Sequence, residues 1–389
     1  MTSRYRVLTS LNHQEPDRVP KDLGSINVTG INCHAYARLL ELLGLQEEIQ
    51  IVDAVQGLAK VSPAVKKVLG IDTYGLWPRG SSKAIKERGT TAEGGEFFID
   101  EWGFYWLKPR GGLYFDVRKC PLAEIDPQTF DLDSYDWPAP DDPARLNGLR
   151  EEAQRVRAET DLAIVLGETL DFFLFCCWLR GFDTFLMDLY LYPDFAKRLL
   201  ARVNQIQMAR VTSTLREVGD LVDVVGVIGD DWGMQDRLYV SRDFFHKFFR
   251  AGIEDMVAMI RKHTKSPILA HSCGAIASLI PEFIEIGLNV LNPVQLSAKG
   301  MSDTAELKAK YGRQISFWGG GIDTQRVLNL GSRADIEQEV RRRVGDLAPG
   351  GGFVFCPVHN IQADVPAENI RQAYELADIW GKYPIRRWF

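Results

Sequence analysis

Residues 266–274, SPILAHSCG, form the stretch on which the fold prediction depends. The short apolar run predicts a buried β-strand, and the imidazole of His271 and the thiol of Cys273 follow at its end. Side chains two residues apart lie on the same side of an extended chain, so both groups can face one point, as metal ligands do. The alternative is a core histidine beside a buried free cysteine. A strand that ends in reactive groups is typical of (β/α) barrel enzymes.

Strand-like and helical stretches alternate along the chain, which predicts an α/β fold with parallel strands. Helical stretches separate nearly all of the apolar runs, for instance 193–218, 242–263 and 275–286. Eight such units fit a closed (β/α)8 TIM barrel better than an open sheet. No G-x-G-x-x-G motif follows the first strand, so a dinucleotide-binding fold has no direct support. The predicted strands are 17–24, 71–77, 162–167, 222–228, 267–270, 289–291, 314–318 and 352–355.

Residues 85–120 interrupt this alternation with short aromatic runs. FFIDEWGFYWL at 97–107 and GLYFDV at 112–117 are separated by turn-forming residues, which predicts antiparallel hairpins. A barrel does not need this piece, so we interpret it as an insertion in a single barrel domain that spans 1–389 and has an N-terminal extension. Exposed aromatic hairpins usually pack against another protein surface, so we expect this segment to cover the pocket or to help form a homodimer.

Composition and charge exclude several classes of protein. The 389 residues are 46% hydrophobic and 25% charged, as in an ordinary soluble enzyme, and the net charge of -6 disfavours a nucleic-acid or anionic-membrane surface. No apolar run is long enough to span a membrane, and the amino terminus lacks the apolar core of a signal peptide, so we expect a cytoplasmic protein. In that reducing compartment the six scattered cysteines favour thiol or metal chemistry over disulfides.

Polar residues recur where the predicted strands end. Each has a simpler explanation as a helix cap or a turn residue, but their shared position favours an active-site rim at the carboxyl face of a barrel. From strand three onward these residues are Glu168; Asp230 and Asp231; His271 and Cys273; Asn292 and Gln295; Asp323; and Cys356, His359 and Asn360.

Three motifs resemble the uroporphyrinogen decarboxylase superfamily, in particular its corrinoid-dependent methyltransferase branch. They are HSCGAIASLIPEFIEIGLNVLNPVQ at 271–295, FWGGGIDTQ at 317–325 and APGGGFVFCPVHNIQADVPAENI at 348–370. The resemblance covers about 160–380 well and the first 80 residues loosely, and it implies a (β/α)8 barrel. It also implies a zinc ion held by His271, Cys273 and a third ligand near the end of the barrel.

This sequence departs from the pattern of the superfamily at two points. Thiol-methylating members have a cysteine as the third ligand; here His359 occupies that register, Cys356 lies three residues earlier, and either could close the site. True decarboxylases have an arginine-rich amino-terminal segment that binds the carboxylates of the substrate, whereas KDLGSINVTGIN at 21–32 has no arginine. Decarboxylation and methylcobamide-dependent thiol methylation remain alternatives, as does a non-catalytic or corrinoid-binding barrel.

The branch implies methyl transfer between a small methylated compound and the cobalt of a corrinoid. The chain has no D-x-H-x-x-G cobalamin-binding motif, so we expect the corrinoid on a partner carrier protein. Aromatic residues near the presumed pocket and the replacement of a thiolate by His359 favour a methoxylated aromatic donor and O-demethylation. We assign Glu168, Asp230 and Asp231 to catalysis. We assign cofactor binding to Asn292, Gln295, Asp323 and Asn360.

Overall fold

The computed structural model of the chain describes residues 1–167 and 170–385. Its strands are numbered along the chain. They are β1 (Ile51–Asp53), β2 (Leu58–Ala59), β3 (Thr73–Leu76), β4 (Ile85–Thr90), β5 (Glu96–Asp100), β6 (Tyr105–Lys108), β7 (Asp116–Lys119), β8 (Ala163–Leu166), β9 (Val224–Gly229), β10 (Ile268–His271), β11 (Val290–Asn292), β12 (Ser316–Trp318) and β13 (Phe353–Val354).

Seven of these strands form one curled sheet in the order β13-β12-β11-β10-β9-β8-β3. Every neighbouring pair in this sheet is parallel, and its strands are almost entirely buried. Strands buried on both faces read as continuous apolar runs, which is why the sequence shows them clearly. The predicted TIM-barrel fold, and seven of its eight predicted strands, are confirmed.

The remaining predicted strand, 17–24, closes the barrel without forming a regular strand. The Phe355 N–H, just after β13, donates to Pro20 O at 2.8 Å. On the other side, the Asp72 N–H, just before β3, donates to Lys21 O at 2.9 Å. The segment therefore joins the two edges of the seven-stranded sheet. It stays irregular because a proline has no N–H to donate to a ladder.

Helices surround the barrel sheet, as the alternating sequence predicts. The longest, Pro193–Val218, begins with a proline at its first position, where a missing N–H costs nothing, and it buries one apolar face. The helices are α1 (Ser3–Leu11), α2 (Cys33–Leu42), α3 (Pro63–Leu69), α4 (Leu149–Glu159), α5 (Phe173–Arg180), α6 (Phe182–Leu191), α7 (Pro193–Val218), α8 (Arg242–Phe244), α9 (Arg250–His263), α10 (Ile280–Ile286), α11 (Thr304–Tyr311), α12 (Val327–Leu330), α13 (Arg333–Leu347) and α14 (Ala367–Trp380).

The helix predicted at 275–286 starts later than expected, at Ile280. The loop between Cys273 and this helix packs against the loop that follows β9. Gly274 has a φ of 92°, and a side chain there would place its Cβ only 2.1 Å from Gly233 O. Only glycine allows the two loops to approach this closely, and their contact brings the ends of β9 and β10 together.

The aromatic segment forms a separate four-stranded sheet in the order β4-β5-β6-β7, with every pair antiparallel. The predicted antiparallel hairpins are therefore confirmed. Phe98 stacks on Trp106 within the sheet, with ring centroids 6.0 Å apart. Trp102 packs edge-on against Phe175 of α5 at 4.5 Å, so the sheet is anchored to the barrel by aromatic contacts.

The apolar core accounts for residues that otherwise suggest redox chemistry. Cys176 and Cys177 are fully buried on α5, and burial raises the pKa of both thiols. They therefore pack as small apolar side chains. None of the described helices combines the length and apolar character needed to cross a membrane.

Candidate metal centre and its cavity

Three potential metal ligands come together at the carboxyl ends of the barrel strands. His271 is the last residue of β10, Cys273 follows two residues later, and His359 lies in the loop after β13. One nitrogen of each imidazole and the Cys273 Sγ all lie within 4.8 Å of one another. The Sγ is 3.4 Å from His271 Nε2. One ion can therefore contact all three side chains.

Asn292, the last residue of β11, fixes the orientation of the first imidazole. Its Nδ2 donates to Trp318 O at 2.8 Å, which turns Asn292 Oδ1 toward the ring. His271 Nδ1 lies 2.6 Å from that oxygen and must donate to it, because the oxygen is only an acceptor. His271 Nε2 is then left to face Cys273 as a ligand.

A second asparagine fixes the other imidazole through a longer chain of hydrogen bonds. The Asp53 carboxylate accepts from Gln56 Nε2 at 3.1 Å, so Gln56 Oε1 faces Asn360 and accepts from its Nδ2 at 2.7 Å. Asn360 Oδ1 then accepts from His359 Nδ1 at 2.7 Å. The Nε2 of His359 is therefore free to bind a metal, as it is in His271.

The donor set fits a tetrahedral zinc ion. Zn2+ with nitrogen ligands at about 2.0 Å and sulfur at about 2.3 Å separates its ligand atoms by roughly 3.3–3.7 Å. The 3.4 Å between Cys273 Sγ and His271 Nε2 matches this spacing. All three ligand residues are partly exposed, which leaves room for a fourth, exchangeable ligand. Two imidazoles and a thiolate are ligands that Zn2+ prefers.

Asp231 lies beside the three ligands and contributes negative charge. Its Oδ1 is 3.4 Å from His271 Nε2 and accepts the Cys273 backbone N–H at 2.6 Å. Burial opposes ionisation, but the hydrogen bond and charge of His271 lower the pKa of Asp231 to about 2. Burial likewise opposes the Cys273 thiolate, yet the charge of His271 lowers the pKa of that thiol. Burial opposes the charge of His271, but Cys273 and Asp231 raise its pKa well above the usual value, so a cation that binds here would displace the proton of His271.

The two alternatives for the third ligand lie in different places. His359 joins His271 and Cys273 in the only group of this kind among residues 1–167 and 170–385. Cys356 is fully buried in the core, and burial raises the pKa of its thiol well above the usual value. A thiol that stays protonated is a poor metal ligand. The geometry thus favours His359.

The four residues assigned to cofactor binding divide into two pairs. Asn292 and Asn360 hold the two imidazoles. Gln295 Oε1 accepts the Gly274 N–H at 2.6 Å and so supports the loop after the metal ligands. Asp323 Oδ1 accepts two backbone N–H groups at 2.8 Å in a turn after β12. Contact of any of them with a cofactor stays a prediction.

Asp230 and Asp231 are adjacent, but their carboxylates serve different parts of the structure. Asp230 accepts the backbone N–H groups of residues 172–174 at 2.9, 2.9 and 2.8 Å. These are the N–H groups at the start of α5, so Asp230 caps that helix, and its side chain does not line the cavity described below. The third predicted acid, Glu168, lies outside the described residues.

Replacing Asp230 with Ala is expected to lower the free energy of unfolding by about 3 kcal/mol, because three buried N–H groups lose their hydrogen-bond acceptor. Asp323→Ala is the matched control, since it removes an acceptor of two N–H groups from a partly exposed turn. That loss is expected to be about 1 kcal/mol or less. Urea unfolding of the metal-free proteins measures both values. Equal losses would contradict the role assigned to Asp230.

A cavity of about 520 Å³ opens beside the metal centre, and His271, His359 and Asp231 form part of its wall. The four-stranded sheet supplies another wall through Trp106, Phe115 and Val117. The insertion therefore lines the pocket. That it covers the pocket or contributes to a homodimer stays a prediction.

Asp171 is a cavity residue that the sequence does not indicate. Burial and the charge of Asp231 raise the pKa of Asp171 to about 7, although His271 and Arg210 oppose the shift. A carboxyl group with this pKa can hold a proton near neutral pH and release it to a substrate. In the sequence it begins the run DFFLF at 171–175, where it resembles an ordinary helix-capping aspartate.

Comparisons with known proteins identify a family and a solved structure with a similar fold. The sequence model of a family described as Uroporphyrinogen decarboxylase (URO-D) matches residues 114–380, a range that contains all three metal-ligand candidates and Asp171. No curated protein sequence matches the chain significantly.

Among solved structures, a methyltransferase from Methanosarcina mazei superimposes on 97% of this chain and 99% of its own, with 17% identity and a TM-score of 0.65. Xylanase 10B from Thermotoga maritima covers 60% of this chain and 79% of its own at 9% identity, with a TM-score of 0.38. That score is too low to support an argument. The first match shows that the barrel and its additions have a full-length structural counterpart.

Proposed function

The chain belongs to the uroporphyrinogen decarboxylase family, and we propose that it is a zinc-dependent methyltransferase from the corrinoid-dependent branch of that superfamily. In this proposal it moves a methyl group from a small methoxylated aromatic compound to the cobalt of a corrinoid on a partner protein. The meeting of His271, Cys273 and His359 beside an aromatic-walled cavity carries the proposal. The M. mazei relative, which is called a methyltransferase, supports it.

His271 Nε2, Cys273 Sγ and His359 Nε2 are the atoms that would hold the zinc ion. When bound there, Zn2+ supplies a Lewis acid for the negative charge that develops on the leaving oxygen of the donor. Asn292 and Asn360 keep both imidazoles in the tautomer that presents Nε2. These supports are in place before any substrate binds, so little reorganisation is needed during the reaction.

Asp171 supplies the proton that this reaction needs. The C–O bond of the donor breaks as the methyl carbon bonds to Co(I), which provides both electrons of the new bond. The electron pair of the C–O bond stays on oxygen, and the resulting phenolate takes the proton of the Asp171 carboxyl. Because the pKa of Asp171 is about 7, it is a stronger acid than a phenol, whose pKa is about 10. The products are methyl-Co(III) and a phenol.

Decarboxylation of a porphyrinogen is the second function that the family allows, and the cavity disfavours it. Residues 26–28 of the arginine-free stretch 21–32 line the cavity, and they are Ile, Asn and Val. A substrate that bears many carboxylates would find no cationic partner there.

The test combines the purified enzyme, a reduced corrinoid protein and a panel of methoxylated aromatic compounds. Loss of the Co(I) absorption and growth of the methyl-Co(III) absorption are expected with at least one donor. Zinc content, measured on the same sample, is expected to be one ion per chain. If no donor reacts and the enzyme instead methylates a thiol from methylcobalamin, the proposed direction and donor are wrong.

A further inference from the structure

Acidic side chains dominate the charged lining of the cavity. Asp116 on β7, Asp171 and Asp231 all line it, whereas no lysine or arginine does so among the residues that the structure describes. The remaining charged candidates are His271 and His359, which belong to the metal centre. At the wall formed by the four-stranded sheet, an anionic substrate would therefore meet the Asp116 carboxylate and no side-chain cation.

Asp116 is the carboxylate that the insertion contributes. Its one ion-pair partner given by the structure, Arg118, lies 3.7 Å away, and the two side chains are 66% and 52% exposed. Such an exposed pair is screened by water and contributes little. Arg118 also lies outside the cavity lining, so the charge of Asp116 stays uncompensated on the cavity side.

The uncharged part of the lining is suited to a flat ring. Trp106 Nε1 donates to Asp100 Oδ2 at 2.8 Å and its ring stacks on Phe98, so the indole is held in place. Trp178 on α5 is 38% exposed and also lines the cavity, together with Leu174. Rigid aromatic faces bind a planar apolar ligand without giving a charged group a partner.

Resting on the proposed methyl transfer, we propose that the donor is a methoxylated arene without a carboxylate group, and that Asp116 is the specificity-determining residue that rejects aromatic acids. The chain would then act on methoxybenzenes and methoxyphenols in preference to methoxybenzoates. The wall that selects the donor comes from the insertion, and the metal centre comes from the barrel.

We call the proposed rejection of anionic donors the charge rule. Three ligands with the same dimethoxyphenyl ring test it: 1,2-dimethoxybenzene, 3,4-dimethoxybenzoate and 3,4-dimethoxybenzylamine. Quenching of tryptophan fluorescence in the zinc-loaded protein, without corrinoid, measures their dissociation constants. The benzoate is expected to bind at least about tenfold more weakly than the neutral arene, and the benzylamine no more weakly than the arene. Equal binding of benzoate and arene overturns the proposal. Equal rejection of the amine and the acid also overturns it, because the cavity would then exclude any charge.

Asp116→Lys tests the residue assignment, with Glu87→Lys as its matched control. Both variants change the charge by the same amount on the same sheet, but Glu87 lies on β4, is exposed and does not line the cavity. Asp116→Lys is expected to improve benzoate binding relative to arene binding by about tenfold, and Glu87→Lys to leave the ratio unchanged. The same shift in both variants, or in neither, overturns the role of Asp116.

The binding experiment separates failure of this inference from failure of the proposed function. If the neutral arene binds preferentially but methylates no corrinoid, the charge rule stands and the proposed reaction is wrong. If arene and benzoate donate methyl groups to the corrinoid equally well, the proposed reaction stands and the charge rule is wrong.

Discussion

Replacing Cys273 with Ala is expected to weaken zinc binding at least about 100-fold, so that the purified protein carries little metal. The variant loses the one thiolate of the centre, together with the negative charge that offsets the ion. Methyl transfer to Co(I) is expected to fall below detection as a result, while the barrel stays folded because its core does not depend on this side chain. Elemental analysis and circular dichroism measure the two properties on one sample.

Cys356→Ala is the matched control, because it removes the same thiol from a nearby site without changing the His271, Cys273 and His359 group. Its zinc content is expected to equal that of the unmodified protein, although the small cavity left in the core lowers stability. His359→Ala is expected to lose zinc as Cys273→Ala does. Full zinc retention in Cys273→Ala, or loss in Cys356→Ala, would falsify the ligand assignment.

Asp171→Asn is expected to slow methyl transfer from an aryl methyl ether by about 100- to 10,000-fold, the usual range for loss of a general acid. The amide is similar in size and cannot release a proton. The unmodified enzyme should lose activity as the pH rises through about 7, because the Asp171 carboxyl loses its proton there. This limb of the pH profile is expected to be absent in the variant.

The leaving group of the methyl donor tests whether Asp171 donates a proton or has only a structural role. A donor such as 4-nitroanisole releases a stable phenolate that needs little protonation, so Asp171→Asn should slow it far less than an ordinary methoxyphenol. Zinc content and arene binding should be unchanged. Equal slowing of both donors would contradict proton transfer from Asp171.

The raised pKa of Asp171 also makes the stability of the fold depend on pH. Between about pH 4 and about pH 7 the folded protein keeps the proton on Asp171 while the unfolded chain has released it. The contribution of Asp171 to stability therefore decreases as the pH rises through this window.

The meeting of His271 and Cys273 could be predicted from sequence because their geometry is local. His271 and Cys273 end a single strand, and the two-residue period of an extended chain places them together. The sequence left two alternatives near the end of the barrel, His359 and Cys356, because the path of the loop after β13 decides which side chain reaches His271 and Cys273. Burial of Cys356 in the core was not readable from its neighbours.

The features of the site and barrel that could not be predicted from sequence depend on contacts between residues far apart in the chain. Adjacent residues at the end of a strand face opposite sides, so nothing distinguishes Asp230, which caps α5, from Asp231, which faces the metal ligands. Asp171 has an unremarkable sequence context, and its pKa depends on burial and on a residue sixty positions away. The Pro20 segment closes the barrel through backbone hydrogen bonds that leave no periodic pattern.

Most of the four-stranded sheet and the candidate metal ligands lie in different parts of the chain. Strands β4 to β6 precede the range 114–380 that matches the family, whereas the metal ligands lie within it. Trp106, on β6, can therefore diverge without disturbing the hydrogen bonds that hold His271 and His359. Exchange of residues 85–119 between related barrels would be a route to new methyl donors, and a library limited to this segment could be screened with the catalytic barrel held constant.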